Sequence, residues 1–390
     1  ALTRAGHPEQ AVPLLREAVA MRESLWVRAG LSDPGRSMFQ SLASYFELAS
    51  ALARTGADTG AFEMFERGAC RWLLDRIEPA DTDRDRWAGV LARTERALPE
   101  DAALVLFVPP TMPVQRGDYP RAVCVLRRTG GPHWSWIPGP VHAPGQRFNG
   151  LAQAVHALRA AGAWPIRVPD DARLRASVGL TWREQFAPLE PGLRGVRELI
   201  VVMPAITDGV PLECLLDDQD RFLADRFRVS YAPSALYYTL SRERAMARPD
   251  AHAGPALLVG DAALVPTDRS RLGRLPHSRA EILALAGTLP GSVQLLDAAA
   301  SGAHLSAWAA SGRLARFSLL HFSTHAEADV RRPLASALVL APDPGSPGTN
   351  SRLLASTIAA DWRPRMSPPA FSAASSAASM RSARSAVAFS

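Results

Sequence analysis

The chain has 390 residues, 47% of them hydrophobic, which is enough for two or three units with real cores and typical of globular proteins. It has no uncharged apolar run of the ~18 residues a membrane helix needs, and its first twenty residues carry Arg4, Glu9, Arg16 and Glu17 in an amphipathic pattern instead of a secretory leader. A cytoplasmic protein without a membrane partner is therefore expected. The formal charge of +6 includes four arginines at 363, 365, 381 and 384 in an acid-free tail, and the rest of the balance, about +2, recruits no nucleic acid.

A repeat opens the chain. Ala1-Leu2-x-Arg4-x-Gly6 recurs as Ala51-Leu52-x-Arg54-x-Gly56, and Ala11, Leu14, Leu15 answer to Ala61, Met64, Phe65. Each set places a small residue and a bulky pair at i, i+3, i+4 on one helical face, as in stacked antiparallel helices. The pattern resembles the tetratricopeptide repeat, with a plain helical hairpin bundle as the alternative. Residues 1–80 are thus expected to be a short α-helical remnant that leans on the next domain, because about three repeats are needed for a continuous core. Since the first residue is Ala1, further repeats upstream are expected.

From about residue 81 strands alternate with helices. Leu104 to Val108, Ala122 to Arg127 and Trp134 to Trp136 predict a meander with a Gly130-Gly131 turn. A helix is predicted over 149–161. Apolar runs at Leu199 to Met203, Ala256 to Val259, Phe317 to Phe322 and Ala337 to Leu340 predict buried parallel strands, with helices at 210–217, 234–247, 278–289 and 302–310. Such alternation predicts an α/β domain over 81–366, a mostly parallel sheet flanked by helices. From Ser367 to Ser390, sixteen of twenty-four residues are Ser or Ala, so this tail is expected to be disordered and to add no strand. The abrupt change of texture after Trp362 also fits a shifted reading frame.

The segment Phe317-Ser-Leu-Leu-His321-Phe-Ser-Thr-His325-Ala326 carries the strongest chemical signal. Catalytic groups in open α/β sheets gather beyond the carboxyl ends of strands, which makes His325 the best-placed base. His321, four residues earlier and deeper, reads as structural. This segment resembles the His-Phe-Ala-Thr-His-Gly block of the CHAT family, caspase-like bacterial proteins often found behind tetratricopeptide repeats. Four further blocks follow the family's order: Glu198 to Pro204 with Asp208-Gly209-Val-Pro211-Leu-Glu213-Cys-Leu-Leu216; Val229 to Ser234; Leu275-Pro276-x-x-Arg279-x-Glu281; and Pro333 to Leu340. The similarity runs over roughly 100–362.

The resemblance implies a caspase-like fold and a His-Cys dyad that cleaves peptides, with His325 as base, a thiolate as nucleophile and the N–H of Ala326, which replaces the family glycine, as a possible oxyanion donor. It implies protein or peptide partners and no cofactor or metal. The nucleophile should follow within a Ser-Ala-Cys-Glu-like block at the end of one more strand, and no cysteine occurs there. Cys70, Cys124 and Cys214 match no zinc or disulfide framework and read as core residues. The chain is therefore expected to be an incomplete or inactive copy, or else a non-catalytic interaction scaffold. Asp261 at a strand end admits a phosphate or metal reading, which the lack of a glycine-rich loop disfavours. Glu213 and Glu281 read as ion-pairing residues. Arg279 pairs with an acid of the domain or of a substrate.

Overall fold

In the computed structural model, residues 2–3, 6–29, 34–69, 87, 89–109, 120–137, 172–202, 212–247, 254–329, 332–343, 351–362 and 370–374 are described. They fall into two compact units, Ala1–Glu243 and Arg244–Ser390. The helix predicted over 149–161 and Cys70 lie outside the described residues.

The first unit opens with three helices, α1 (Pro8–Ala29), α2 (Pro34–Arg54) and α3 (Asp58–Ala69). Ala61 and Phe65 of α3 are fully buried as the repeat pattern predicts, but in α1 Ala11 is buried while Leu14 is 57% exposed. The two copies thus share a sequence spacing without burying the same positions. After α4 (Val90–Ala97) come β1 (Ala102–Phe107), β2 (Arg121–Leu126) and β3 (Pro132–Ile137), the predicted meander; α5 (Ala172–Thr181) then leads to β4 (Glu198–Val202), α6 (Leu223–Arg226), β5 (Arg228–Ala232) and α7 (Ala235–Ala247). The sheet order is β3-β2-β1-β4-β5. β2 runs antiparallel to β1 and β3, and β4 runs parallel to β1 and β5.

Period-two alternation gives this sheet two cores. Val105, Val123 and Val201 face one of them, with Trp182, Phe186 and Leu189. Leu104, Cys124 and Val202 face the other, with Phe46 of α2, Phe62 and Phe65 of α3, and Leu236 of α7. The helices and the sheet are therefore one packing unit. Glu66 of α3 is fully buried and accepts the N–H groups of Ala235 and Leu236 at 3.0 and 2.8 Å, closing the first turn of α7.

The second unit contains β6 (Ala256–Ala262), α8 (Pro266–Leu272), α9 (Ser278–Thr288), β7 (Val293–Asp297), α10 (Gly302–Ala310), β8 (Leu319–Ser323), β9 (His325–Glu327), β10 (Ala337–Val339), β11 (Arg352–Leu354), α11 (Ala355–Asp361) and β12 (Ala370–Ala374). A wholly parallel sheet has the order β12-β8-β6-β7, and a second, antiparallel sheet has the order β11-β10-β9. Ala256 and Leu258 pack with Ile282 of α9, whereas Leu257, Val259, Leu320 and Phe322 pack with Leu305, Trp308 and Trp362 on the opposite face.

Three expectations are corrected. The apolar runs between 199 and 340 do not form one mostly parallel sheet: β4 belongs to the mixed five-stranded sheet, β6 and β8 to the four-stranded one, and β10 is antiparallel. Short buried strands have the same texture in either arrangement, so the sequence does not tell them apart. The predicted helix at 210–217 shrinks to a 3-10 turn, Leu212–Cys214. Finally, Ala370–Ala374 does form a strand, in register with Leu319–Ser323 of β8. Backbone pairing asks little of the side chains, so a Ser/Ala segment can close an otherwise open edge, and Pro368-Pro369 precedes the strand as edge chemistry allows.

Candidate functional site

The site is built where β8 ends. Alternation sends Leu320 and Phe322 into the core and turns His321 and Ser323 toward α9. There Glu281 meets both: its Oε1 lies 2.9 Å from His321 Nε2, and its Oε2 accepts the Ser323 hydroxyl at 2.8 Å. One turn earlier the Ser278 hydroxyl donates to the Ser323 carbonyl at 2.6 Å and accepts the Asp261 N–H at 2.8 Å. The Leu275-Pro-x-x-x-x-Glu281 stretch therefore fastens α9 across the ends of β6 and β8. Gly260 makes that approach possible, because a Cβ there would stand 2.6 Å from Ile282 Cγ1 and 2.9 Å from Ser278 Oγ.

His325 begins β9 and is 1% exposed. Its Nε2 lies 3.1 Å from the carbonyl of Gly273, which can only accept, so the proton sits on Nε2. Nδ1 then carries the lone pair, and it is buried with no partner among the described residues. Desolvation lowers the imidazole's pKa, with the Gly273 carbonyl working the other way. The outcome is a neutral ring with one free basic nitrogen, the form a general base requires. Ala326 stands in β9 opposite Leu338 of β10.

The carbonyl that orients the ring is itself anchored. Gly273 follows α8 with φ of 76°, in the left-handed region that suits glycine. Asp268 of α8 is gripped by the Arg352 fork at 2.8 and 2.9 Å and by the Ser351 hydroxyl at 2.6 Å. Arg352 also reaches Glu327 of β9 at 2.8 and 3.0 Å, and Arg271 bonds Glu327 as well. Two carboxylates and two guanidiniums thus tie α8, β9 and β11 together around the histidine. The Arg352 guanidinium holds the Asp268 carboxyl far below the usual carboxylate range.

Beside the ring, at the carboxyl ends of β6, β7 and β8, opens a cavity of about 270 Å³ whose wall includes Asp261, Arg269, Arg274, Asp297 and His325. Asp261, next to last in β6, and Asp297, last in β7, have φ of 44° and 51°. Arg279 bridges them, with Nε 2.6 Å from Asp261 and Nη2 2.6 Å from Asp297.

The structure thus gathers His325, His321, Asp261, Arg279, Glu281 and Ala326 at one sheet end, and Arg279 pairs with acids of its own unit. Glu213 and the other described cysteines belong to the first unit. There Glu213 accepts the Tyr231 hydroxyl, Cys124 is buried in β2, and burial raises both thiols away from reactivity. Asp268, Gly273, Glu327 and Arg352 were not singled out by sequence reasoning, since no motif marks them. Among the described residues, no group of three or more His, Cys, Asp or Glu is arranged to hold a metal ion. Likewise, no helix is long and apolar enough to cross a membrane.

No curated protein matches the chain. A family model described as the CHAT domain matches residues 177–389, more than half of the chain; the match begins later than the resemblance read from the motifs and runs on through the Ser/Ala-rich tail.

Proposed function

The chain belongs to the CHAT domain family, and from that premise we propose that it is a non-hydrolysing member, a peptide-recognition protein of caspase-like descent that retains the histidine of the cleavage site and lacks its sulfur. The observation that carries this reading is the pairing of β12 with β8. The resemblance asks for a Ser-Ala-Cys-Glu-like block at the end of a strand near the histidine. β12, the edge neighbour of β8, reads Phe371-Ser372-Ala373-Ala374, followed by Ser375, with Ala374 at the cysteine's place.

Strand geometry supports the correspondence. Ala374 is in register with Ser323, two residues before His325. Position 374 therefore lies at the end of the strand beside the one that leads into the histidine. With alanine there, the free Nδ1 has nothing to deprotonate. Without an attacking group the covalent route is lost, and binding remains. His325 as base and the Ala326 N–H as oxyanion donor belong to this reading as relics. The partners are proteins or peptides.

Restoring the sulfur tests the proposal. In the full chain, Ala374→Cys should create a site labelled by a thiol-reactive electrophile above the background of Cys70, Cys124 and Cys214, and His325→Ala should suppress the added labelling. The unmodified chain should leave a peptide library intact. Turnover by the unmodified chain that disappears in His325→Ala would refute the proposal.

A further inference from the structure

Four Asp, Glu or Arg side chains are buried among the described residues: Glu66, Arg121, Asp217 and Asp268. Asp217 and Asp268 have arginine partners, and Glu66 has the N–H groups at the start of α7. Arg121 has no carboxylate opposite it among the described residues. At 8% exposure, its Nη2 donates to the Gln185 amide oxygen, and its Nε is buried without a partner among those residues. Elsewhere in this chain the Nε and Nη2 edge of an arginine closes on a carboxylate, as Arg93 does on Glu243, Arg221 on Asp217 and Arg352 on Glu327. In Arg121 that edge carries a neutral amide on one nitrogen and nothing on the other.

Desolvation draws the Arg121 guanidinium's pKa down to about 10, so the charge persists at neutral pH. A buried charge without a counter-charge is costly, and the absence of water strengthens any ion pair that it forms. The position of Arg121 is also one where ligands gather. It opens β2, and the register puts that end of β2 at the carboxyl ends of β1 and β4, which run parallel to each other. Across from it α5 runs on into a single π turn, Trp182–Phe186, in which Gln185 is buried together with Trp182 and Phe186. Such turns are rare and frequent at functional sites.

We infer that Arg121 anchors a small oxyanion site in the first unit, taking a phosphoryl or carboxylate group on its unfilled Nε edge while Gln185 holds the guanidinium in place. The site goes beyond the peptide-recognition reading and does not depend on it. An oxyanion supplies both things that the guanidinium lacks, a negative charge and an in-plane acceptor for Nε. Water would supply the acceptor alone. An Arg121 that only ties the π turn to the sheet would make the same bond to Gln185 and would respond to no anion.

Hydrogen exchange on the full chain separates the two. In ~10 mM phosphate or acetate, against chloride at equal ionic strength and neutral pH, peptides within 120–137 and 182–193 should exchange at least about threefold more slowly, and those within 254–329 should not change. Slowing by phosphate alone assigns a phosphoryl ligand, by acetate alone a carboxylate, and by both the chemistry they share. Arg121→Met, which keeps the length of the side chain without its charge, should abolish the slowing, with circular dichroism verifying that the variant folds. No slowing in either anion, equal slowing of 254–329 as a general salt effect would give, or slowing that survives Arg121→Met overturns the inference. If that variant does not fold, isothermal titration of the unmodified chain with each anion decides: saturable heat for one site per chain supports the site, and its absence with both anions overturns it.

Discussion

Each unit buries a carboxyl group, and each handles it differently. In the first, Glu66 accepts the backbone N–H groups at the start of α7 and the Ser234 hydroxyl, with no cationic partner among the described residues; burial outweighs these bonds and pushes its pKa up to about 7. In the second, Asp268 meets Arg352, Ser351 and Arg271, and its carboxyl stays ionised far into acid. Burial alone does not decide the sign of a pKa shift, because the partner decides whether the charge survives it. The two units should consequently respond to pH in opposite directions.

The sharpest way to break this contrast is to remove the charge that holds the second unit's site. Asp268→Asn leaves Arg352 with half of its fork unmatched and should cost the second unit about 3 kcal/mol, at the low end for a buried pair because Arg352 is partly exposed. Hydrogen exchange in peptides spanning 254–329 should rise while those of 89–109 stay protected. Equal loosening of both would show that the network is not local.

The second test is a titration. Glu66 keeps its proton up to about 7 while the unfolded chain releases it near 4.5, so the first unit should lose about 3 kcal/mol at most as pH climbs through that window. Glu66→Gln should flatten the slope. For Asp268 the sign is reversed: its contribution is complete above the ordinary aspartate pKa of 3.8 and fades as acid is added. Urea unfolding followed by hydrogen exchange at pH 5 and pH 8 separates the two.

Packing gives a smaller effect. A Cβ at Gly260 would meet Ile282 at 2.6 Å, and one at Gly68 would meet Tyr45 Cβ at 2.8 Å, so an alanine at either position should cost about 2 kcal/mol by overpacking, each in its own unit. The smallest effect belongs to the exposed pair Arg175–Asp220, where both side chains are more than 40% exposed. Arg175→Ala should change stability by less than about 0.5 kcal/mol, and a larger loss would mean that this surface contact is coupled to the core.

What the sequence revealed follows from how far apart the interacting residues lie. The meander, α7, α9 and α10 were legible because turn glycines and apolar periodicity are local signals. The position of His325 was legible from a ten-residue block. Its anchor was not, since Gly273 is 52 residues away, and Asp268 and Arg352 are 84 apart. β7 escaped notice because only Leu295 within it is buried, so it offers no apolar run. β12 escaped because alanine and serine carry no strand signal, and its neighbour supplies the hydrogen bonds. The division into two sheets escaped as well, since a buried strand reads alike whichever neighbour it joins.

The left-handed turns at Asp261 and Asp297 set up a conflict between endurance and purpose. Glycine at either position would suit the backbone better, by roughly 1 kcal/mol, yet would remove one end of the Arg279 bridge. A library of variants selected only for surviving heat should therefore drift toward those replacements. Survivors of that drift would be hardier proteins in which the Arg279 guanidinium has lost one of its two anchors at this sheet end.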